Sequence, residues 1–558
     1  LLIVWDVADW KLLRPLLAAN RLPHLAALLG TGSAARLFST HPHHAAPLLT
    51  TLIGGLPAEN HGVLLDHAPA PDGRGIEPWP ASARIGRSLL EHLAGCGLRV
   101  AALGWPAHDA TLPNDGFVAP PGWASLPSQA REALAPAANP ALREALRELA
   151  IAPAELAAED ILPFRAPGAH AAELRGPEAS LLARAVADSL SQVALGTWLQ
   201  EHHRPALLAI RFSALAPLCE RFMTLHPPRL PGVPEEDFAA WHPALAQAYT
   251  FHDTLLGTLL SAHPAGAPVL LASPLGWHSD HLRPTVHHAS RHGLHGAWKR
   301  PEGVAIFRGP AIRTGRFATA ASLLDLVPTT AALLGLAPPT DRPGRVLTGL
   351  FATPETLPPT SAWETDGPAT LANSHPVHRP AELGTPAHIH RWEARYALAT
   401  RLLEAGKPAE ALSLFGTCRT EQPSRPGPVL QTIAALRALG RTREAASELE
   451  SLAARPDASL RRDEQGRPPA FLPQFDLMRG LLAADQFLWA DAITHLKRAR
   501  EAAPQLPDLH LALGRVWLAQ QRPAEAAEAF RRAAELDPEN SAAAHGLAAC
   551  EPSPPPSA

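Results

Sequence analysis

As far as Phe351 the chain alternates short apolar runs with longer amphipathic stretches. Leu1-Leu-Ile-Val-Trp5 is apolar throughout and ends in Asp6, which reads as a buried strand with an acidic exit. From Trp10 to Leu29 the apolar positions follow helical spacing, and Gly30 and Gly32 stop the pattern. Further strand-like runs stand at Leu98–Leu103, Ala206–Phe212, Val269–Ala272 and Val304–Phe307, with helical patterns at Ser88–Ala94 and Ala244–Leu260. Such alternation predicts an α/β domain over residues 1–351, a mostly parallel sheet sandwiched by helices. The Ala-, Glu- and Pro-rich segment from about 120 to 201 is helical in pattern and reads as an insertion or cap beside the sheet. Ligands of such sheets collect at the carboxyl ends of the strands. There Val269–Ala272 runs into Ser273, Pro274 and Leu275, and neither of the last two can bind a metal or move a proton.

Beyond Phe351 the pattern changes twice. Residues 352–388 hold many Pro, Thr and Ser with little periodicity, and read as a linker. Residues 389–550 then repeat: Ala492, Leu496, Ala499 and Pro504 recur 34 positions later as Ala526, Phe530, Ala533 and Pro538. Gly480 and Gly514 keep that offset, and Ala411, Phe415 and Cys418 recur in the same way as Ala445, Leu449 and Leu452. Small residues that let two helices approach, and a Pro that closes the second, make this the tetratricopeptide period. Four units fit, 392–425, 426–459, 473–506 and 507–540, with an insertion at 460–472. The prediction is an all-α solenoid whose concave face takes a protein or peptide partner, followed by a disordered tail at 551–558.

Composition narrows the function classes. A formal charge of −4 over 558 residues gives no basic field for nucleic acid. The four cysteines, Cys96, Cys219, Cys418 and Cys550, are far apart and form no CxxC pair, which argues against a disulfide framework or a structural zinc. No apolar run approaches the roughly 20 residues of a membrane span. The chain opens on Leu1 rather than Met, so a trimmed upstream segment stays open; the cytoplasm is the expected compartment.

The first 350 residues resemble a type I phosphodiesterase/nucleotide pyrophosphatase domain of the alkaline phosphatase superfamily. The resemblance rests on Val4-Trp-Asp-Val-Ala-Asp-Trp-Lys11, Arg21-Leu-Pro-His-Leu25, Gly54-Gly-Leu-Pro-Ala-Glu-Asn-His-Gly-Val63, Gly97–Pro106, Gly276–Pro284, Ser322–Thr330 and Asp341-Arg-Pro-Gly344. A bacterial subgroup of that family carries C-terminal tetratricopeptide repeats, which is similar to the present order. Its members use two metal ions, usually zinc, to hold a phosphate and activate a Thr or Ser nucleophile, chemistry that needs a closely spaced and fully ligated metal pair. Carried over by position, the resemblance leaves Asp6 as the sole matching metal ligand, followed by Val7 where Gly is usual. The nucleophile falls on Ala45 or Ala46. The Asp-x-x-x-His pair falls on Ala216 and Glu220, the Asp-His pair on Pro274 and Leu275, and the late His on Lys299. No catalytic residue is therefore expected and Asp6 reads as vestigial.

Substitutes are weighed against plainer roles. Asp280 and His281 imitate the missing pair, and His278, His281, His287, His288, His292 and His295 cluster in sequence; a polar loop is the simpler account. His61 reads as a structural hydrogen-bonding group, and Thr50 and Thr51 as helix-capping or packing hydroxyls rather than nucleophiles. Asp6 reads as an acceptor of backbone hydrogen bonds, with Lys299 and Glu220 as electrostatic stand-ins for a metal. The expectation is a catalytically degenerate phosphodiesterase-like scaffold with no cofactor, binding protein through its repeats. The alternative is an active metal-dependent hydrolase of phosphodiesters or nucleotides, with zinc, built from non-standard residues.

Overall fold

The computed structural model describes residues 1–69, 76–136, 138–170, 174–230, 233–279, 299–363, 386–404, 406–423, 425–454, 472–504, 506–536 and 541–550. They form two compact units, Leu1–Ala381 and Glu382–Ala558.

The strands of the first unit are β1 (Leu2–Trp5), β2 (Ser33–Phe38), β3 (Ala68–Pro69), β4 (Ile76–Glu77), β5 (Val100–Leu103), β6 (Thr111–Leu112) and β7 (Gly116–Ala119). β8 (Leu207–Phe212), β9 (Val269–Ser273), β10 (Gly276–Trp277), β11 (Lys299–Arg300), β12 (Glu302–Arg308) and β13 (Phe317–Ser322) follow. Nine of them make one sheet in the order β13-β2-β12-β9-β1-β8-β5-β7-β6. The centre, β9-β1-β8-β5-β7, is parallel, while β12 runs antiparallel to both of its neighbours, β2 and β9. The sheet is therefore mixed but mostly parallel, as the alternation of elements predicts. The helical pattern read from Trp10 to Leu29 is two helices, Trp10–Ala18 and Pro23–Gly30.

Side chains alternate across a strand, so each strand feeds two cores. Ile3, Trp5, Leu208, Ile210 and Phe212 enter one, and Leu2, Val4, Leu207, Ala209, Leu270 and Ala272 enter the other. The helix Gly176–Trp198, from the segment read as lying beside the sheet, contributes Leu182, Val186 and Leu195 to the first core. It covers the sheet directly, because Gly196 lets it approach β8 until a Cβ there would stand 2.5 Å from Ile210 Cδ1. The helix Ala45–Gly54 packs Leu48, Leu49, Leu52 and Ile53 into the second core.

The start of the linker is held to the first unit. Trp363 is buried, stacks on His92 with ring centroids 4.0 Å apart, and donates its indole N–H to the Ala337 carbonyl at 3.2 Å.

The second unit is a run of helix hairpins: Pro386–Glu404 with Pro408–Glu421, Gly427–Ala438 with Thr442–Ala453, Leu472–Asp485 with Trp489–Ala502, and Pro507–Ala519 with Pro523–Leu536. A further helix, Ser541–Cys550, follows the fourth hairpin. The repeating glycine has a packing reason. A Cβ at Gly514 would stand 2.6 Å from the Phe530 ring, and one at Gly480 2.5 Å from Leu496.

Candidate functional site

Asp6 leaves β1 at its carboxyl end, hydrogen-bonded through its N–H to the Phe212 carbonyl at 3.2 Å. β1 and β8 are parallel with Val4 opposite Arg211. Two-residue alternation sends Asp6, after Leu2 and Val4, and Arg211, after Leu207 and Ala209, to the same face. There they meet. Arg211 Nε donates to Asp6 Oδ1 at 2.7 Å and Nη2 to Oδ2 at 2.6 Å, a two-pronged pair. Both residues are buried, Asp6 at 7% and Arg211 at 8% exposure. Burial pushes the guanidinium toward losing its proton, but the charge and hydrogen bonds of Asp6 outweigh this and raise its pKa. Arg211 Nη1 also reaches the Gly104 carbonyl at 3.3 Å. Gly104 has φ of +82°, and a Cβ there would stand 3.3 Å from that of Arg211.

Further charges surround the pair. Asp188, on the helix Gly176–Trp198, accepts the Ser213 hydroxyl at 3.2 Å, and burial raises its pKa against the opposing pull of Ser213 and Arg211. At the start of the helix Ala45–Gly54 the Ala46 N–H donates to Asp66 Oδ1 at 2.9 Å, and His44 Nδ1 lies 3.3 Å from Oδ2. Burial works against the Asp66 charge, yet His44, the Ala46 N–H and Lys299 together hold its pKa well below the ordinary carboxylate range. A helix N-terminus, where a phosphate would be well placed, thus already holds a carboxylate. Lys299 donates to the His43 carbonyl at 2.7 Å. The His43 ring stacks on His41 with centroids 4.1 Å apart, and burial, with the charges of His41, Lys299 and His44, pulls its pKa well down.

β11 belongs to a second buried network. Arg300 on β11 pairs with Asp9 and, at 3.2 Å, with Glu302, which also pairs with Arg36 on β2. Asp9 caps the helix Trp10–Ala18 through the Lys11 N–H at 2.8 Å. Gly276 is needed here, since a Cβ would collide with the Asp9 carboxylate and the Glu302 carbonyl.

The positions singled out in the sequence resolve as follows. Ala45 and Ala46 open the helix Ala45–Gly54, and Pro274 and Leu275 follow β9. Glu220 is exposed on the helix Leu215–Phe222. Thr50 and Thr51 lie inside their helix rather than capping it: Thr50 Oγ1 donates to the Ala46 carbonyl at 2.7 Å, and Thr51 Oγ1 meets His61 Nε2 at 3.1 Å. His61 Nδ1 accepts the Val63 N–H at 3.1 Å, so His61 is a buried structural link. His278 is buried at 8% exposure, whereas Asp280, His281, His287, His288, His292 and His295 lie outside the described residues. The partner of the Asp6 carboxylate is neither a backbone N–H nor Lys299 but Arg211, which the sequence pattern alone did not single out. Its signal was available: a lone charge within Leu-Leu-Ala-Ile-Arg-Phe must find a counter-charge if that strand is buried.

Among the described residues the donor set does not fit a zinc pair. Both Asp6 oxygens are engaged by Arg211, a group that carries donors only, and Ala216, Pro274, Leu275 and Lys299 offer no replacement ligand. Among the described residues no three His, Cys, Asp or Glu side chains are grouped to hold a metal.

Comparison with known families matches residues 1–273 to type I phosphodiesterase / nucleotide pyrophosphatase and residues 477–541 to the tetratricopeptide repeat. No curated protein matches the chain. Among solved structures, murine ectonucleotide pyrophosphatase / phosphodiesterase 5 is similar over 63% of this chain and 100% of its own, at 13% identity and a TM-score of 0.37. A thermophilic tetratricopeptide protein of Thermus thermophilus is similar over 28% of this chain and 80% of its own, at 24% identity and a TM-score of 0.24. YrrB, described as having an unusual peptide-binding site, matches over 28% of this chain and 75% of its own, at 14% identity and a TM-score of 0.20.

Proposed function

With residues 1–273 a type I phosphodiesterase / nucleotide pyrophosphatase domain and residues 477–541 tetratricopeptide repeat, we propose that the protein is a catalytically degenerate phosphodiesterase-like scaffold that binds a protein partner through its repeats. The observation that carries the first half is the Asp6–Arg211 pair. In-line displacement at phosphorus needs concentrated positive charge that a phosphate oxygen can reach, together with a nucleophile. Here the buried cation is spent on Asp6, and the position matching the nucleophile is Ala45 or Ala46, without a hydroxyl. The second half is supported by the repeats themselves, since stacked hairpins present a continuous curved surface suited to a peptide or helix.

The test is hydrolysis of bis- and mono-nitrophenyl phosphate with zinc or manganese added. Release of nitrophenol should not exceed the rate without protein, and purified protein should hold no stoichiometric zinc. Turnover that vanishes in Asp6→Ala would overturn this reading and establish a hydrolase built on non-standard residues. The partner should crosslink to residues of Glu382–Ala558 when the full chain is captured.

A further inference from the structure

β13 ends the nine-stranded sheet: it pairs with β2 on one side, and its other side has no strand against it among the described residues. Beside its first residue opens a cleft of about 340 Å³, lined by Arg316, Phe317, Arg345, Val346, Thr348 and neighbouring residues. Phe317 is 42% exposed, packs edge-on against Trp10 with centroids 5.4 Å apart, and carries the Arg14 guanidinium 5.7 Å from its ring centre. Arg14, Arg316 and Arg345 are all exposed. None of the three is in an ion pair with a carboxylate among the described residues, in a molecule that is otherwise net acidic.

The backbone under these cations is fixed. The Arg316 N–H donates to Ser33 Oγ at 3.3 Å and its carbonyl accepts the Ala34 N–H at 2.9 Å. The Arg345 N–H is held by the buried Asp325 carboxylate at 2.9 Å. Two guanidiniums with free donors are therefore mounted on a firm frame at one cleft with the exposed Phe317 ring, beside a strand edge that has no partner strand among the described residues.

We propose that this cleft docks an extended acidic peptide segment of a partner protein, laid along the β13 edge with carboxylates on Arg316 and Arg345 and an apolar side chain on Phe317. Strand addition supplies main-chain hydrogen bonds at an open edge, while alternate side chains enter pockets and set specificity. The period of two suits an alternating acidic and apolar sequence. Arginine forks match carboxylates in geometry as well as charge. The site is separate from the Asp6 cluster and does not depend on the repeats.

The probe is a fluorescein-labelled peptide of alternating Glu and Val, titrated with the full chain and followed by anisotropy. Alternating Lys and Val serves as the control, and inorganic phosphate and free glutamate as competitors. Saturable binding of the Glu/Val peptide is expected, weakened at least about tenfold in the double variant R316E/R345E and weakened by salt. Phe317→Ala should weaken it as well. Both arginines are exposed, so matching melting curves will show that the double variant folds; R316Q/R345Q gives the milder version of the same comparison. No saturable binding, equal binding by the Lys/Val peptide, full retention in the double variant, or displacement by phosphate as readily as by unlabelled peptide would each overturn the proposal.

Discussion

At the scale of single residues, the buried pair of Asp6 and Arg211 sets an unequal pattern of substitution costs. Arg211→Met leaves a carboxylate without its counter-charge and should cost about 3–5 kcal/mol, whereas the double change Asp6→Asn with Arg211→Met should recover much of that loss. Urea midpoints of the parent chain, the two single variants and the double variant decide the matter. A double-variant cost equal to the sum of the two single costs would mean that the pair is not coupled. The histidines give a second test. Burial, with Arg84 adding to it, brings His61 to about 3, and burial brings His252 to about 4. An unfolded histidine titrates near 6.5, so between there and about 4 the unfolded chain binds protons that the folded chain refuses. Stability should then fall as the pH drops below about 6.5, by up to about 1.4 kcal/mol per pH unit for each histidine. The raised carboxyl groups of Asp9, Asp188 and Asp253 act in the opposite sense and offset part of it. Urea midpoints at several pH values measure the slope, and His252→Gln should flatten it.

At the scale of elements, glycines mark where neighbours touch. A Cβ at Gly303 on β12 would collide with the Ser273 carbonyl on β9, and backbone cannot swing aside as a side chain can. Gly303→Ala should cost about 1–3 kcal/mol or more, while Gly95→Ala, with nothing within 4 Å of the new methyl, should be neutral or better in a thermal melt. Central strands were legible in the sequence because both of their faces are buried, which gives unbroken apolar runs such as Leu-Leu-Ile-Val-Trp and Val-Leu-Leu-Ala. β2 and β13 were missed because Ser-Ala-Ala-Arg-Leu-Phe and Phe-Ala-Thr-Ala-Ala-Ser mix small and polar residues and lack that signature. The hairpins of the second unit were legible from their period alone. The candidate site was only half legible. Ala45, Ala216 and Pro274, at positions where the resemblance implies a nucleophile or metal ligands, are read directly from the sequence, but the Arg211 and Asp66 contacts depend on which elements the fold brings together.

At the scale of the whole molecule, two compact units built on different principles should unfold as two events. The first unit relies on contacts distant in sequence, such as β1 with β8 and β9, and the second on adjacent hairpins whose stability adds along the array. Calorimetry should resolve two transitions. Arg211→Met should move only one of them, and a shift of both by the same amount would show a single cooperative body. The same pair constrains how this chain can change over generations. A lone mutation at Arg211 strands a buried anion, and a lone mutation at Asp6 strands a buried cation. A change that freed Asp6 to ligate a metal would have to pass through such an intermediate before any further ligand could help. The salt link between β1 and β8 therefore acts as a ratchet on the lineage, easy to inherit whole and hard to dismantle one codon at a time.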